Sequence, residues 1–292
     1  MSPRKRKMIT CIFCGDESVE SSGEDVFPKW IAEKLRHIAQ ERHPEHPPDY
    51  IEHSYSNLED FSDDMSSNQP GLKANEQKHR GGRPLIDKLP DVCTPCNTGW
   101  MSRLEKGVNP IIEGLIFGRE KIIHPYDEFV VATWITKTCL AYDAGHTNPW
   151  IPAEMGSRRF YETGYPLFGV HAMIGHDPNI IPEGALLHRR GPHVRVSRRD
   201  GSTFEAACFA FQFDHLLIAA VINCFDSVAV SQRAEGLGLP IESPYYTEVW
   251  PHLKRIKWPS ADSRTRRTTS DPASWTEEPM SNATEEPPVE PK

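Results

Sequence analysis

A chain of 292 residues, 38% of them hydrophobic, can bury one large core or two modest ones. Its net charge of -8 argues against a protein that coats nucleic acid non-specifically, although local basic patches can still meet phosphate. The longest apolar run, Leu216 to Ile222, is too short to span a bilayer, so no membrane role is expected. The cysteines number seven, and Cys139, Cys208 and Cys224 stand singly in apolar runs. That usage argues against a disulfide framework and for a reducing, cytoplasmic compartment.

Residues 1–10 read as a basic arm, with Arg4, Lys5, Arg6 and Lys7 consecutive and no apolar stretch behind them of the kind a signal peptide needs. Cys11-Ile12-Phe13-Cys14 follows and is answered, beyond a long polar stretch, by Cys93-Thr94-Pro95-Cys96. A C-x2-C turn aims two sulfurs at one ion, and two such turns complete the tetrahedron that Zn²⁺ accepts. The gap between the pairs far exceeds the usual finger spacing of about 15–20 residues, and much of it reads as an insertion. Cys11, Cys14, Cys93 and Cys96 are therefore the expected ligands of one structural zinc. Gly15 supplies the backbone freedom of the first turn.

Between the pairs, Pro28 suits the first position of a helix. Phe27, Trp30, Ile31, Leu35 and Ile38 then make an apolar stripe at helical spacing. From about Ala39 to Gly82 the sequence is rich in Pro, Ser, Asn and Asp without period, and an irregular insertion over 39–82 is expected. It carries His43, His46, His53 and His79. The Pro-rich context of His43 and His46 fixes no helical geometry and argues against a metal role for them. His79-Arg80-Gly81-Gly82-Arg83 reads as a phosphate-touching loop near the metal site or as a solvated loop.

Past Cys96, the residues Trp100, Met101 and Leu104 share one helical face, which places Cys96 at a helix N-terminus where the dipole favours thiolate. Pro110 is expected to begin a separate short helix through Ile111, Leu115 and Ile116. Glu128 to Tyr142 reads as a longer helix that buries Val131, Trp134, Ile135, Cys139 and Tyr142. After Pro149 the period changes. Val170 to Ile174 and His193 to Ser197 alternate as strands, and Phe209, Phe211 and Phe213 share a strand face. Asp214-His215 then turns the chain into Leu216 to Ile222 as a β-hairpin. The aromatic row reads as sheet core rather than as a base-stacking platform. Arg189, Arg190, Arg195, Arg198 and Arg199 read as the solvated face of the preceding strand or as phosphate contacts. Trp250-Pro251 and Trp258-Pro259 close the folded region, and 261–292 reads as a disordered acidic tail. The expected fold class is α+β, with a zinc unit over 11–118 and a mixed helix and antiparallel-sheet unit over 119–260, whose hairpin packs on the Glu128 to Tyr142 helix.

Three features now stand together: a zinc knuckle, the acidic pair Glu24-Asp25 leading into Val26-Phe27-Pro28-Lys29-Trp30, and a C-x2-C pair followed by Asn97 and by Gly99-Trp100-Met101-Ser102-Arg103-Leu104-Glu105. Over roughly 11–40 and 83–118 the chain resembles the four-cysteine branch of the HNH endonucleases. The resemblance implies a treble-clef, ββα-metal scaffold in which the zinc is structural and Mg²⁺ or Mn²⁺ is the catalytic ion. It puts Glu24 where an acidic metal ligand is found and Asn97 at the last metal-binding position. Asp25 occupies the place of the general-base histidine, and only Asp87 and Asp91 lie near the place of the middle asparagine. An aspartate near pKa 3.9 is weaker than a histidine near 6.5 by about 2.6 units, at most roughly 3.5 kcal/mol of driving force. Asp25 then serves as base or as a further metal ligand, and His79 or His53 stands as the alternative base. Lys29, Arg80, Arg83 and Arg103 are the expected contacts to nucleic acid, DNA in the first place.

Two functions follow. One is metal-dependent phosphodiester hydrolysis, and the other is a catalytically inactive zinc module that grips nucleic acid or a protein partner. Residues 120–260 contain no nucleophile triad, P-loop or dinucleotide fingerprint that would move the activity there.

Overall fold

The computed structural model describes residues 8–42, 44–45, 53–57, 88–89, 91–146, 149–166, 169–176, 186–197, 203–223, 246–251 and 255–259. The expectations placed on His43, His46, His79, Arg80, Arg83, Asp87, Arg198, Arg199, Cys224 and the tail lie outside them.

β1 (Met8–Ile9) and β2 (Val19–Glu20) pair antiparallel and bracket the first C-x2-C turn. After β3 (Glu24–Asp25), α1 (Lys29–Arg42) starts one residue past Pro28, whose carbonyl accepts the Ile31 amide at 3.0 Å. The helix buries Ile31, Ala32, Leu35, Ile38 and Ala39, the face that helical spacing predicts. It also continues past Ala39, where the irregular insertion is expected to begin. The reason is a long-range anchor, because Arg42 donates from both terminal nitrogens to the Asp214 carboxylate at 2.6 and 2.9 Å. Nor is the rest of 39–82 irregular throughout, since β4 (His53–Asn57) lies within it.

β5 (Lys88–Leu89) pairs with β3 and leads to α2 (Thr94–Cys96), a π-helical turn (Asn97–Met101) and α3 (Ser102–Ile116). These run on from one another, with non-helical angles at Gly99. Pro110 does not begin a helix of its own; it sits inside α3. A helix-interior proline costs about 3 kcal/mol. Val108, Ile111, Ile112, Leu115 and Ile116 are all buried along this helix, and full burial is worth about 1.5–3 kcal/mol per aliphatic side chain. Packing therefore overrides the breaker.

β6 (Lys121–Ile123) precedes α4 (Pro125–Ala144). Pro125 opens this helix, and the His124 amide donates to Asp127 Oδ2 at 3.3 Å, closing its first turn. The helix is longer than its sequence pattern predicts and is buried almost all round from Val131 to Asp143, not along one stripe. α3 covers one side and the sheet another. Lys137 is wholly buried within it and is met by Glu105 Oε1 of α3 at 2.8 Å. α5 (Ser157–Thr163) ends at Gly164, which takes the left-handed φ of 72° and donates its amide to Phe160.

The C-terminal strands are β7 (Val170–His176), β8 (Leu186–Ser197), β9 (Thr203–Phe213), β10 (Leu216–Ile222), β11 (Tyr246–Trp250) and β12 (Ile256–Trp258). Six strands form one sheet in the order β11-β7-β10-β9-β8-β4, antiparallel except for the parallel β4–β8 edge. β12 pairs separately with β6. The expected hairpin is present, with Phe213 opposite Leu216 and Asp214 at φ 53° in the turn. It packs on α4 as the aromatic spacing predicts: Phe213 lies 6.3 Å from Trp134, and Phe209 and Phe211 lie 6.4 and 5.5 Å from Tyr142. Phe27, just ahead of α1, inserts edge-on against Phe211 and Phe213 at 5.3 and 5.5 Å. The core therefore runs without a break from the cysteine turns to the sheet. No helix among the described residues is long and apolar enough to cross a membrane.

Candidate metal centre

The first turn is closed by backbone bonds: the Cys11 amide donates to the Asp16 carbonyl and the Gly15 amide to the Cys11 carbonyl, both at 2.9 Å. Gly15 takes φ 78°, a region in which a side chain is strained, and a Cβ there would stand 3.2 Å from Arg158 Nε. Arg158 thus lies over the knuckle, with Nη1 on Glu154 at 3.1 Å. The second turn begins at Cys93, whose extended backbone caps α2 and whose sulfur accepts the Cys96 amide at 3.4 Å.

A ribbon joins the two turns. Ser21 bridges Cys93, the Ser22 amide donates to Val92 at 2.8 Å, and Glu24 and Asp25 pair with Leu89 and Lys88. The register slips by one residue between these pairs, and Gly23, at φ 62°, sits at the slip. The Ile12 amide reaches the Asp91 carbonyl at 2.9 Å, and the Cys93 amide reaches Cys11 Sγ at 3.5 Å. Phe13 is buried edge-on against Trp100 at 5.2 Å, so apolar packing holds the turns together from behind.

The result is one cluster: the sulfurs of Cys11, Cys14, Cys93 and Cys96 all lie within 4.8 Å of one another. Cys14 and Cys93 are 3.7 Å apart. A tetrahedron with metal–sulfur bonds of about 2.3 Å has edges of about 3.8 Å, so the donor set and its spacing fit an ion such as Zn²⁺. Four sulfurs around one tetrahedral ion would leave no open position for a substrate, so the donor set suits a structural ion better than a catalytic one.

Charge is unevenly distributed over the four sulfurs. A hydrogen bond from Cys96 draws the Cys11 thiol down to about 4, against its burial and with help from the amides of Cys93, Cys14 and Phe13. Burial pushes Cys14 up to about 12. Cys96 is pushed up as well, first by its bond to Cys11 and then by burial. Cys139, in contrast, is a fully buried thiol of α4, as its apolar context predicts.

The remaining expected site residues are spread over several elements. Asp25 is 9% exposed on β3, and Glu24 precedes it on the same strand. Asn97 is half-buried at the first position of the π-helical turn, directly after Cys96, and its carbonyl accepts the Ser102 amide. Lys29 and Arg103 are exposed at the starts of α1 and α3. His53 lies on β4 at the sheet edge.

Sequence reading missed a cavity of about 460 Å³ beside the cluster, lined by Trp100, Leu104, Thr133, Phe160, Tyr161 and Glu162. Trp100 is legible as part of a helical face. Phe160 and Tyr161 stand on a seven-residue helix that is too short to show a period. Comparisons of the chain with protein-family models, curated proteins and solved structures find no match.

Proposed function

We propose that the chain is a metal-dependent endonuclease of the HNH type acting on DNA. In this reading Zn²⁺ on Cys11, Cys14, Cys93 and Cys96 holds a treble-clef scaffold, while Glu24, Asp25 and Asn97 hold a second divalent ion, Mg²⁺ or Mn²⁺. The observation that carries it is the order of the parts. A short antiparallel ribbon bears Glu24-Asp25, its second strand runs into Cys93, and the helix that Cys93 caps presents Asn97 directly after the last cysteine. That is a strand, strand, helix arrangement with two carboxylates and an amide, all hard oxygen donors of the kind such ions prefer. Glu24, Asp25 and Asn97 would hold the divalent ion, which when bound would supply polarisation of a phosphodiester and stabilisation of its leaving oxygen. Asp25 orients the ion or takes a proton from the attacking water, and Arg103 and Lys29 meet the flanking phosphates.

Labelled duplex and single-stranded DNA, incubated with zinc-loaded protein and Mn²⁺, tests the proposal. Cleavage is expected, with at least a tenfold loss in Asn97→Ala while the zinc content stays unchanged. Equal cleavage by Asn97→Ala and Glu24→Ala would remove these residues from the chemistry.

A second reading, a catalytically silent unit that only grips nucleic acid, draws on Asp25: an aspartate stands at the base position and is nearly buried. Asp25→His separates the two. Activity gained only in that variant supports the silent scaffold.

A further inference from the structure

The cavity beside the cluster takes no part in holding a metal, yet it is built from groups that recognise flat rings. Its volume of about 460 Å³ lies in the range of small-molecule sites, about 300–1,000 Å³. Trp100 stands at 62° to Phe160 and at 54° to Tyr161, with centroids 5.8 and 6.1 Å apart, so the three rings form an open corner. Tyr161 is 42% exposed, which leaves ring surface available to an incoming group. Two polar groups of the wall can act as acceptors. Glu162 offers a carboxylate, and Thr133 Oγ already donates to the Phe129 carbonyl at 2.7 Å, leaving its lone pairs free to accept.

We propose that this cavity receives one unstacked base of a nucleic-acid strand, with preference for bases that carry an exocyclic amino group. The inference rests on the nucleic-acid function proposed above and assigns its base subsite. Aromatic corners stack any base, at about 1–3 kcal/mol each, whereas an acceptor pair favours the amino edges of adenine and cytosine over the carbonyl of thymine. Placement supports the same occupant. Trp100 follows Asn97 by three residues within the same π-helical turn, so a phosphate at Asn97 brings its neighbouring base within reach. Arg103 and Arg159 are exposed and adjoin the wall residues Leu104 and Phe160, where they suit the phosphates on either side.

The test is fluorescence anisotropy of labelled single strands of about 12 nucleotides at low salt, on the zinc-loaded full chain, with cleavage in Mn²⁺ read in parallel. Tyr161→Ala is expected to weaken binding about 5- to 150-fold, and Tyr161→Phe to restore it. Tyr126→Ala, an exposed tyrosine elsewhere on α4, is expected to change nothing. Oligo-dC is expected to bind more tightly than oligo-dT, and Glu162→Ala to remove that difference. Binding that is indifferent to Tyr161→Ala, with cleavage intact, overturns the base subsite and leaves the nuclease standing. Tyr161-dependent binding without cleavage keeps the subsite and removes the nuclease. Tryptophan emission quenched by tetramethylammonium but not by adenosine monophosphate would give the cavity to an organic cation and overturn the proposal.

Discussion

Cys14 and Cys96 hold their protons tightly in the metal-free cluster, whereas Cys11 is already a thiolate. Metal ligation needs the deprotonated sulfur, so an arriving ion must expel the protons of the two raised thiols. Protons and metal compete, and affinity therefore rises with pH. With at least these two protons displaced, zinc affinity should climb by at least about a hundredfold per pH unit between pH 6 and 8, as read by competition against a chelator of known pH dependence. A pH-independent affinity would mean that the thiols are already charged. A second residue-scale expectation concerns Asp214, whose side chain is fully buried with Arg42 as a bidentate partner. Arg42→Ala should cost about 3–5 kcal/mol, because it strands a buried carboxylate, and the urea midpoint reads this directly. Arg42→Lys should fall between the two, since it keeps the charge and loses the fork. Sequence could show Asp214 only as a turn residue, because its partner lies 172 positions away.

Among the elements, those with strong periodicity are legible in the sequence. The α1 stripe, the long α4 and the Phe209 to Ile222 hairpin all follow from spacing. What escaped was decided by tertiary partners. α1 continues to Arg42 for the sake of Asp214, α3 absorbs Pro110 because its aliphatic face is buried, and β4 is recruited as a parallel edge from a stretch of polar residues. The Lys137–Glu105 pair ties α3 to α4 in the same way. Lys137→Ala should lower stability by about 3–5 kcal/mol, whereas Lys137→Met combined with Glu105→Leu should come close to neutral, because a buried ion pair is worth little against well-packed apolar groups. Thermal melts of the single and double variants check this, and an unaffected single variant would contradict it. Gly169 gives a sharper case, since a Cβ there would collide with the Asn223 backbone carbonyl, whose own amide donates to Gly169 at 2.7 Å. Gly169→Ala should therefore splay the ends of β7 and β10, seen as lost amide protection at Asn223.

At the scale of the whole molecule, the four cysteines join chain segments that lie 79 positions apart at the nearest pair, and the same core carries on through Phe27 into the sheet. Pair spacing alone was enough to nominate the four cysteines that the fold brings together. The chemistry around them was less legible, because one expected contributor, Asp25, is nearly buried and the cavity walls come from three separate helices. Everything proposed for the ribbon, for Asn97 and for the base subsite presumes that one ion pins the two turns together. Native mass spectrometry of the full chain beside Cys96→Ser tests that presumption most directly. The expected result is one zinc per native chain, lost in Cys96→Ser together with a steep fall in melting temperature. A native chain that is folded at its metal-free mass, and whose melting temperature does not respond to added zinc, would contradict it.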